Sequence, residues 1–202
     1  MDASTHFRGL WELAVLSLLR ERPLHPYQMQ RLLGERHKDE LLALKCGSLY
    51  HAVYRLERAH LIEQTGTGRE GRRPERTTYR ITPQGQREQV RWLGTLIATP
   101  RREPSEFTAS ISFLVYLTPK DARARLEQRA GALSAEIAAL TSGLKAAKEQ
   151  VARINLLETE YALAMRKAEL VWVRRLEDDL RTRRLNWDID AILAGLRAAE
   201  KE

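Results

Sequence analysis

The stretch from Lys45 to Gly85, KCGSLYHAVYRLERAHLIEQTGTGREGRRPERTTYRITPQG, constrains this chain more than any other. Gly47-Ser48 reads as a helix start, because a serine hydroxyl can accept from first-turn amides that lack a partner inside the helix. Leu49, Val53, Leu56 and His60 then fall within one narrow arc at helical spacing, and that arc is the expected core side. The opposite side carries His51, Tyr54, Arg55 and Arg58, flanked by Ser48 and Tyr50. Such a face is often no more than solvated charge, so the residues that follow decide its meaning.

Leu61-Ile62-Glu63-Gln64 suits a short strand, and Thr77-Thr78-Tyr79-Arg80-Ile81 is rich in β-formers with Tyr79 and Ile81 on one face. Between them TGTGREGRRPER holds glycines, a proline and Arg69, Arg72, Arg73 and Arg76. A hairpin tip of this length is unusual, and long structured tips tend to be functional. Guanidiniums crowded on a tip repel one another unless phosphate is near, and they are bidentate donors for it. The plainer alternative is a disordered basic loop. Helix, strand, basic tip, strand and helix, in that order, predict a winged helix-turn-helix head on double-stranded DNA.

Gly47-Ser48-Leu49-Tyr50, Leu56-Glu57, Leu61-Ile62-Glu63 and the run from Gly71-Arg72-Arg73-Pro74 through Thr82-Pro83-Gln84-Gly85 resemble the signature of the PadR family of bacterial transcriptional regulators. The resemblance covers the first half by motif and the second by pattern only. It implies a dimeric winged-helix repressor, often released by a small molecule, with a helical C-terminal dimerisation region. His51 stands where the family usually has proline, which bears on base preference. His60 stands where it usually has glycine, which bears on how the helix ends.

Charge agrees with a head that meets phosphate. The chain has 202 residues and a net charge of +7. Residues 1–99 carry 16 Lys+Arg against 11 Asp+Glu, and residues 100–202 carry 18 against 16. The excess therefore sits mostly in the first half. One cysteine excludes an internal disulfide and suits a reducing compartment. No apolar run approaches the roughly 20 residues of a membrane span, and no secretory signal opens the chain, so a cytoplasmic protein is expected. Cys46 at the helix start is either a redox-sensitive thiol or a small buried apolar residue. His6, His25, His37, His51, His60 and Cys46 show no metal-binding spacing, so neither metal nor cofactor is expected. No paired carboxylates, nucleophile motif or phosphate-cradling loop marks an enzyme.

Ahead of the reading helix, WELAVLSLL predicts a largely buried first helix stopped by Pro23, and His25-Pro26-Tyr27 opens a second helix with Met29, Leu32 and Leu33 inward. His25 is either a phosphate donor or a cap. After the hairpin, Thr82 caps a helix to about Ala98 with Val90, Leu93 and Ile97 on one stripe and Trp92 beside it. Thr99-Pro100-Arg101-Arg102-Glu103-Pro104 is the expected boundary, dividing the chain into a winged-helix domain of residues 1–99 and a helical dimerisation and effector domain of residues 100–202.

The second half predicts helices throughout. FTASISFLVYL is a short apolar helix stopped at Thr118-Pro119. Leu126, Ala130, Leu133, Ile137, Leu140, Leu144, Ala147, Val151 and Ile154 then alternate steps of four and three, the heptad repeat that keeps one seam on a partner helix. Tyr161, Met165, Ala168, Trp172, Leu176 and Leu180 stripe a returning helix, with Asn155 at the turn. The expected fold is thus mainly α with a small β-hairpin wing, followed by a coiled-coil-like region.

For DNA binding the sequence nominates Lys45, Ser48, Tyr50, His51, Tyr54, Arg55, Arg58, Arg72, Arg73 and Arg76. For dimerisation it nominates Leu126, Leu133, Ile137, Leu140, Leu144, Tyr161, Met165 and Trp172. The seam can face its own chain or a second copy. Trp92, Tyr116, Tyr161 and Trp172 are candidates for an effector pocket, or simply core aromatics. The function expected is a sequence-specific, ligand-responsive repressor that binds a near-palindromic operator as a homodimer. The alternative is a protein-interaction module that does not bind DNA.

Overall fold

Apolar residues at helical spacing, cut by prolines and glycines, set the elements. The computed structural model describes residues 9–36, 38, 48–68, 76–100 and 105–199. The chain divides into two compact units, Met1–Arg102 and Glu103–Glu202.

The first unit runs α1 (Leu10–Glu21), α2 (Pro26–Glu35), α3 (Ser48–Arg58), β1 (Ile62–Gly68), β2 (Arg76–Ile81) and α4 (Pro83–Ala98). Its core is formed by Val15 and Leu16 of α1, Leu24, Met29 of α2, Leu49 and Leu56 of α3 and Ile62 of β1, all nearly or fully sealed from solvent. Trp11 packs against this core from its edge. Past α1 the backbone turns extended at Arg22, and Leu24 exchanges two 3.0 Å hydrogen bonds with Tyr79 of β2. The prolyl segment is therefore a one-residue third strand as well as a helix stop. At the start of α2 the His25 Nδ1 accepts from the Tyr27 amide, and the Gln28 side chain accepts from the His25 amide. His25 therefore fills the capping role, one of the two expected for it.

β1 and β2 pair antiparallel from Ile62 opposite Ile81 to Gly68 opposite Arg76, with a bulge between Gln64 and Gly66. Gly66 has φ 158°, outside the range that L residues adopt comfortably. The strands run further toward the tip than their β-rich cores predict, because the bulge lets Thr67 and Gly68 stay in the ladder. Arg69, Arg72 and Arg73 at the tip lie outside the described residues.

Helix α3 ends in a Schellman turn. The Leu61 amide donates to the Leu56 carbonyl and the His60 amide to the Glu57 carbonyl, with His60 left-handed at φ 57°. His60 is exposed, whereas its spacing predicted the core side; the helix has stopped before reaching it, and Ala52 is buried with Leu49, Val53 and Leu56 instead. Thr82 then ties β2 to this turn. Its amide donates to the Leu61 carbonyl at 3.0 Å, its hydroxyl donates to the His60 carbonyl at 2.8 Å, and its oxygen accepts from the Gly85 amide at 3.0 Å.

The core-facing stripe of α4 differs from expectation. Val90, Leu93 and Ile97 are 63%, 44% and 78% exposed, while Gly85, Gln89 and Trp92 are buried. Gln89 donates to the Ser17 hydroxyl of α1 at 2.9 Å, so the polar contact and the indole set the helix's rotation. Apolar spacing alone does not say which face meets the core. The Trp92 indole N–H finds no acceptor among the described residues.

The second unit is α5 (Glu106–Ser112), a 3-10 turn at Leu114–Tyr116, α6 (Pro119–Ala147), a 3-10 turn at Arg153–Asn155, α7 (Leu157–Arg181) and α8 (Ile189–Ala199). Thr118 caps α6, accepting from the Asp121 amide at 3.1 Å, with Pro119 in its first turn. α6 and α7 form an antiparallel pair with Ala122, Leu126, Ala130 and Leu133 buried together with Val173 and Leu180. Arg129–Glu169 and Glu136–Arg166 bridge the same two helices. α6 ends at Ala147, so Val151 and Ile154 fall beyond it although they continue the heptad in sequence. Trp187 donates to the carbonyls of Val115 (3.1 Å) and Leu117 (2.9 Å), tying the segment after α7 to the turn after α5. Asp188 caps α8 through the Asp190 amide. No helix of the described residues is long and apolar enough to cross a membrane.

Candidate nucleic-acid interface

The site is built on α3, whose two faces are fixed by what the core takes. With Leu49, Ala52, Val53 and Leu56 buried, the opposite face presents Tyr50, His51, Tyr54 and Arg58 to solvent. Tyr50 and Tyr54 are each 56% exposed, well above what apolar packing would leave to a ring that size. The Arg58 guanidinium lies over the Tyr54 ring, 5.7 Å from its centroid. This contact holds the cation in place while leaving its N–H groups free to donate outward. Ser48, at the first turn, is half-buried.

Arg55 is placed differently from its neighbours. Its Nε donates to Glu12 Oε1 at 2.6 Å, and its Nη2 meets the same oxygen. Glu12, on α1, is 1% exposed. The guanidinium is thus held back against α1 rather than projecting freely from the reading face. Sequence reasoning missed Glu12 because a helical carboxylate reads as surface; its position inside the apolar run WELAVLSLL was the available signal.

In the wing, Arg80 pairs with Glu63 across the ladder at 2.7 Å, and Gln64 donates to Glu57 of α3 at 2.6 Å. Tyr79 is half-buried beneath them, and its hydroxyl is pushed above the ordinary tyrosine range by burial and then by the Glu57 charge. Lys45, Cys46, Arg72 and Arg73 lie outside the described residues. So does the side chain of Arg76, whose backbone opens β2 opposite Gly68.

In the helical unit, Leu126, Leu133 and Leu144 are buried, and Ile137 and Leu140 are half-buried. The contacts of Leu126 and Leu133 are with α7 of the same chain. Tyr161, Met165 and Trp172 are 68%, 46% and 43% exposed. Of the four residues nominated for an effector pocket, Trp92 belongs to the core of the first unit, and Tyr116 and Tyr161 are exposed. Trp172 meets Phe107 edge-on at 6.0 Å. A cleft of about 340 Å³ in this unit is lined instead by residues such as Phe107, Phe113, Leu117, Arg125 and Leu176. The nominated aromatics are not among its walls, because long-range packing of α5 on α6 forms it and helical spacing does not encode that contact.

A helix-turn-helix core, a reading helix with an aromatic and cationic outer face, and a two-stranded wing together define a winged-helix domain. Residues 15–91, within the first unit, match the transcriptional regulator PadR-like family. No curated protein sequence matches the chain. Among solved structures it is similar to Bacillus subtilis PadR in complex with operator DNA, at 19% identity and a TM-score of 0.69 over 85% of this chain and 99% of that one. It is also similar to the PadR-like regulator BC1756 from Bacillus cereus, at 17% identity and a TM-score of 0.55 over 89% and 99%. The Vibrio cholerae virulence activator AphA follows, at 15% identity and a TM-score of 0.59 over 86% and 99%. At these identities the likeness is one of fold.

Proposed function

We propose that this chain is a DNA-binding transcriptional regulator that acts as a homodimeric repressor on a near-palindromic operator. The observation that carries the reading is the outer face of α3, where Tyr50, His51, Tyr54 and Arg58 stand exposed on a helix whose other face is sealed in the core. His51, Tyr54 and Arg58 enter the major groove; an arginine there pairs with guanine O6 and N7 for roughly 1–3 kcal/mol of discrimination. Ser48, Tyr50 and Lys45 hold phosphates, and Arg72, Arg73 and Arg76 of the wing reach the neighbouring backbone or minor groove. One helix touches too few base pairs to single out a site, so two heads related by a twofold read paired half-sites. The fold likeness to Bacillus subtilis PadR, solved with operator DNA and with p-coumaric acid, supports a DNA partner and a small-molecule effector. The protein is not an enzyme in this reading, and it works in the cytoplasm.

Selection of bound duplexes from a random pool tests the proposal. The expected result is enrichment of inverted repeats whose half-site centres lie about 10–10.5 bp or a multiple of that apart. Absence of any enriched sequence, with no gel shift at low salt, overturns it in favour of a protein-interaction module.

A further inference from the structure

We propose that Glu12 is a positioning residue for the reading helix: it locks Arg55 against α1 and so withholds one cation from the DNA. The inference rests on the DNA-binding reading above and assigns within it a role that no motif supplies. Three observations carry it. Glu12 is the one charged residue of the run WELAVLSLL and is 1% exposed. Both the Nε and an Nη of Arg55 converge on its Oε1. Gly9 leaves the room this needs, since a Cβ there would lie 2.6 Å from Glu12 Oε2.

The energetics favour the lock over release. A carboxylate this deeply buried is tolerable only while a cation compensates it, and withdrawing that cation leaves an unpaired charge in the core. A phosphate competing for Arg55 would have to offset that penalty, whereas it can recruit the exposed Arg58 without one. The lock also ties α1 to the middle of α3, between the outward-facing His51 and Tyr54 and the buried Leu56. A free arginine at position 55 would attract phosphate on any sequence, since counterion release is blind to base identity. Neutralising it lowers non-specific attraction and leaves discrimination to the side chains that read bases.

The test measures affinity by fluorescence anisotropy from 50 to 200 mM salt, on a selected duplex and on a random one, with the full chain. Glu12→Leu removes the acceptor and so frees Arg55. The log–log salt slope should then steepen by about 0.9, the increment for one added phosphate contact, and the ratio of selected to random affinity should fall about tenfold. An unchanged slope and ratio overturn the proposal. Should that variant fail to fold, Glu12→Gln/Arg55→Gln keeps a neutral tie of similar shape. It should hold both the wild-type salt slope and the wild-type ratio of selected to random affinity; a slope shallower than wild type by about 0.9 means that Arg55 grips phosphate and overturns the lock. Wild-type protein that binds neither duplex refutes the DNA-binding reading itself, a distinct result.

Discussion

His60 occupies a backbone position that glycine fills most easily. Its φ of 57° places a Cβ in the left-handed region, where L residues are strained by their own carbonyl. The turn it makes is still closed by the bonds from His60 to Glu57 and from Leu61 to Leu56, so the strain is tolerated, not relieved. His60→Gly should therefore raise stability by up to about 1 kcal/mol, visible as an increase of a few degrees in Tm. Gly85 is the opposite case. A Cβ there would fall 2.0 Å from the Leu61 carbonyl oxygen and 2.9 Å from Ile81, so nothing can be added without moving backbone. Gly85→Ala should cost at least about 2 kcal/mol by chemical denaturation, and it should loosen the knot in which Thr82 holds the wing to the end of α3.

At the scale of elements, what was legible follows from local rules. The breaks at Pro23 and Pro119, the caps at Thr82 and Thr118 and inward residues such as Leu16, Met29, Leu49, Val53 and Leu56 derive from spacing and capping chemistry. Contacts between distant residues did not: Leu24 with Tyr79, Gln89 with Ser17, Trp187 with Val115 and Leu117, and Arg55 with Glu12 each join residues whose pairing depends on the packed fold. The α4 stripe was misassigned for the same reason. Another such contact joins the ends of α1 and α2, where Arg36 donates to both oxygens of Glu21 at 2.5 and 2.8 Å. The hydrogen bond from Arg36, and then its charge, hold the Glu21 carboxyl below its ordinary range. A depressed carboxyl contributes stability that is fully present above the unfolded value of 4.5 and is lost as the pH falls through the lowered folded value. Because the pair is half-exposed, Glu21→Gln should cost no more than about 1 kcal/mol at pH 7. At pH 2 wild type and variant should unfold alike; a difference that persists there would assign the cost to packing.

For the whole molecule, α7 poses a packing problem that one chain leaves open. Leu157, Tyr161, Met165, Val171 and Trp172 remain 44%, 68%, 46%, 63% and 43% exposed, along with Ala164 and Ala168. These residues recur at helical spacing on the side away from Val173 and Leu180, which the hairpin buries. A contiguous apolar face of this kind is uncommon on a monomer and marks a contact. A second copy fits the proposed function best, since a twofold axis through the helical units would pair the two heads that a palindrome needs. Glutamate at both Tyr161 and Met165 would place like charges opposite one another across such an axis, without touching the internal seam of Leu126, Leu133 and Val173. Sedimentation should then show the wild-type chain as a dimer at micromolar concentration and the Tyr161→Glu/Met165→Glu variant as a folded monomer. The variant's salt slope on the selected duplex should drop to about half, because each complex would release the counterions of a single head. A variant that stays dimeric would move the interface elsewhere, and a wild-type monomer would remove the need for a palindrome altogether.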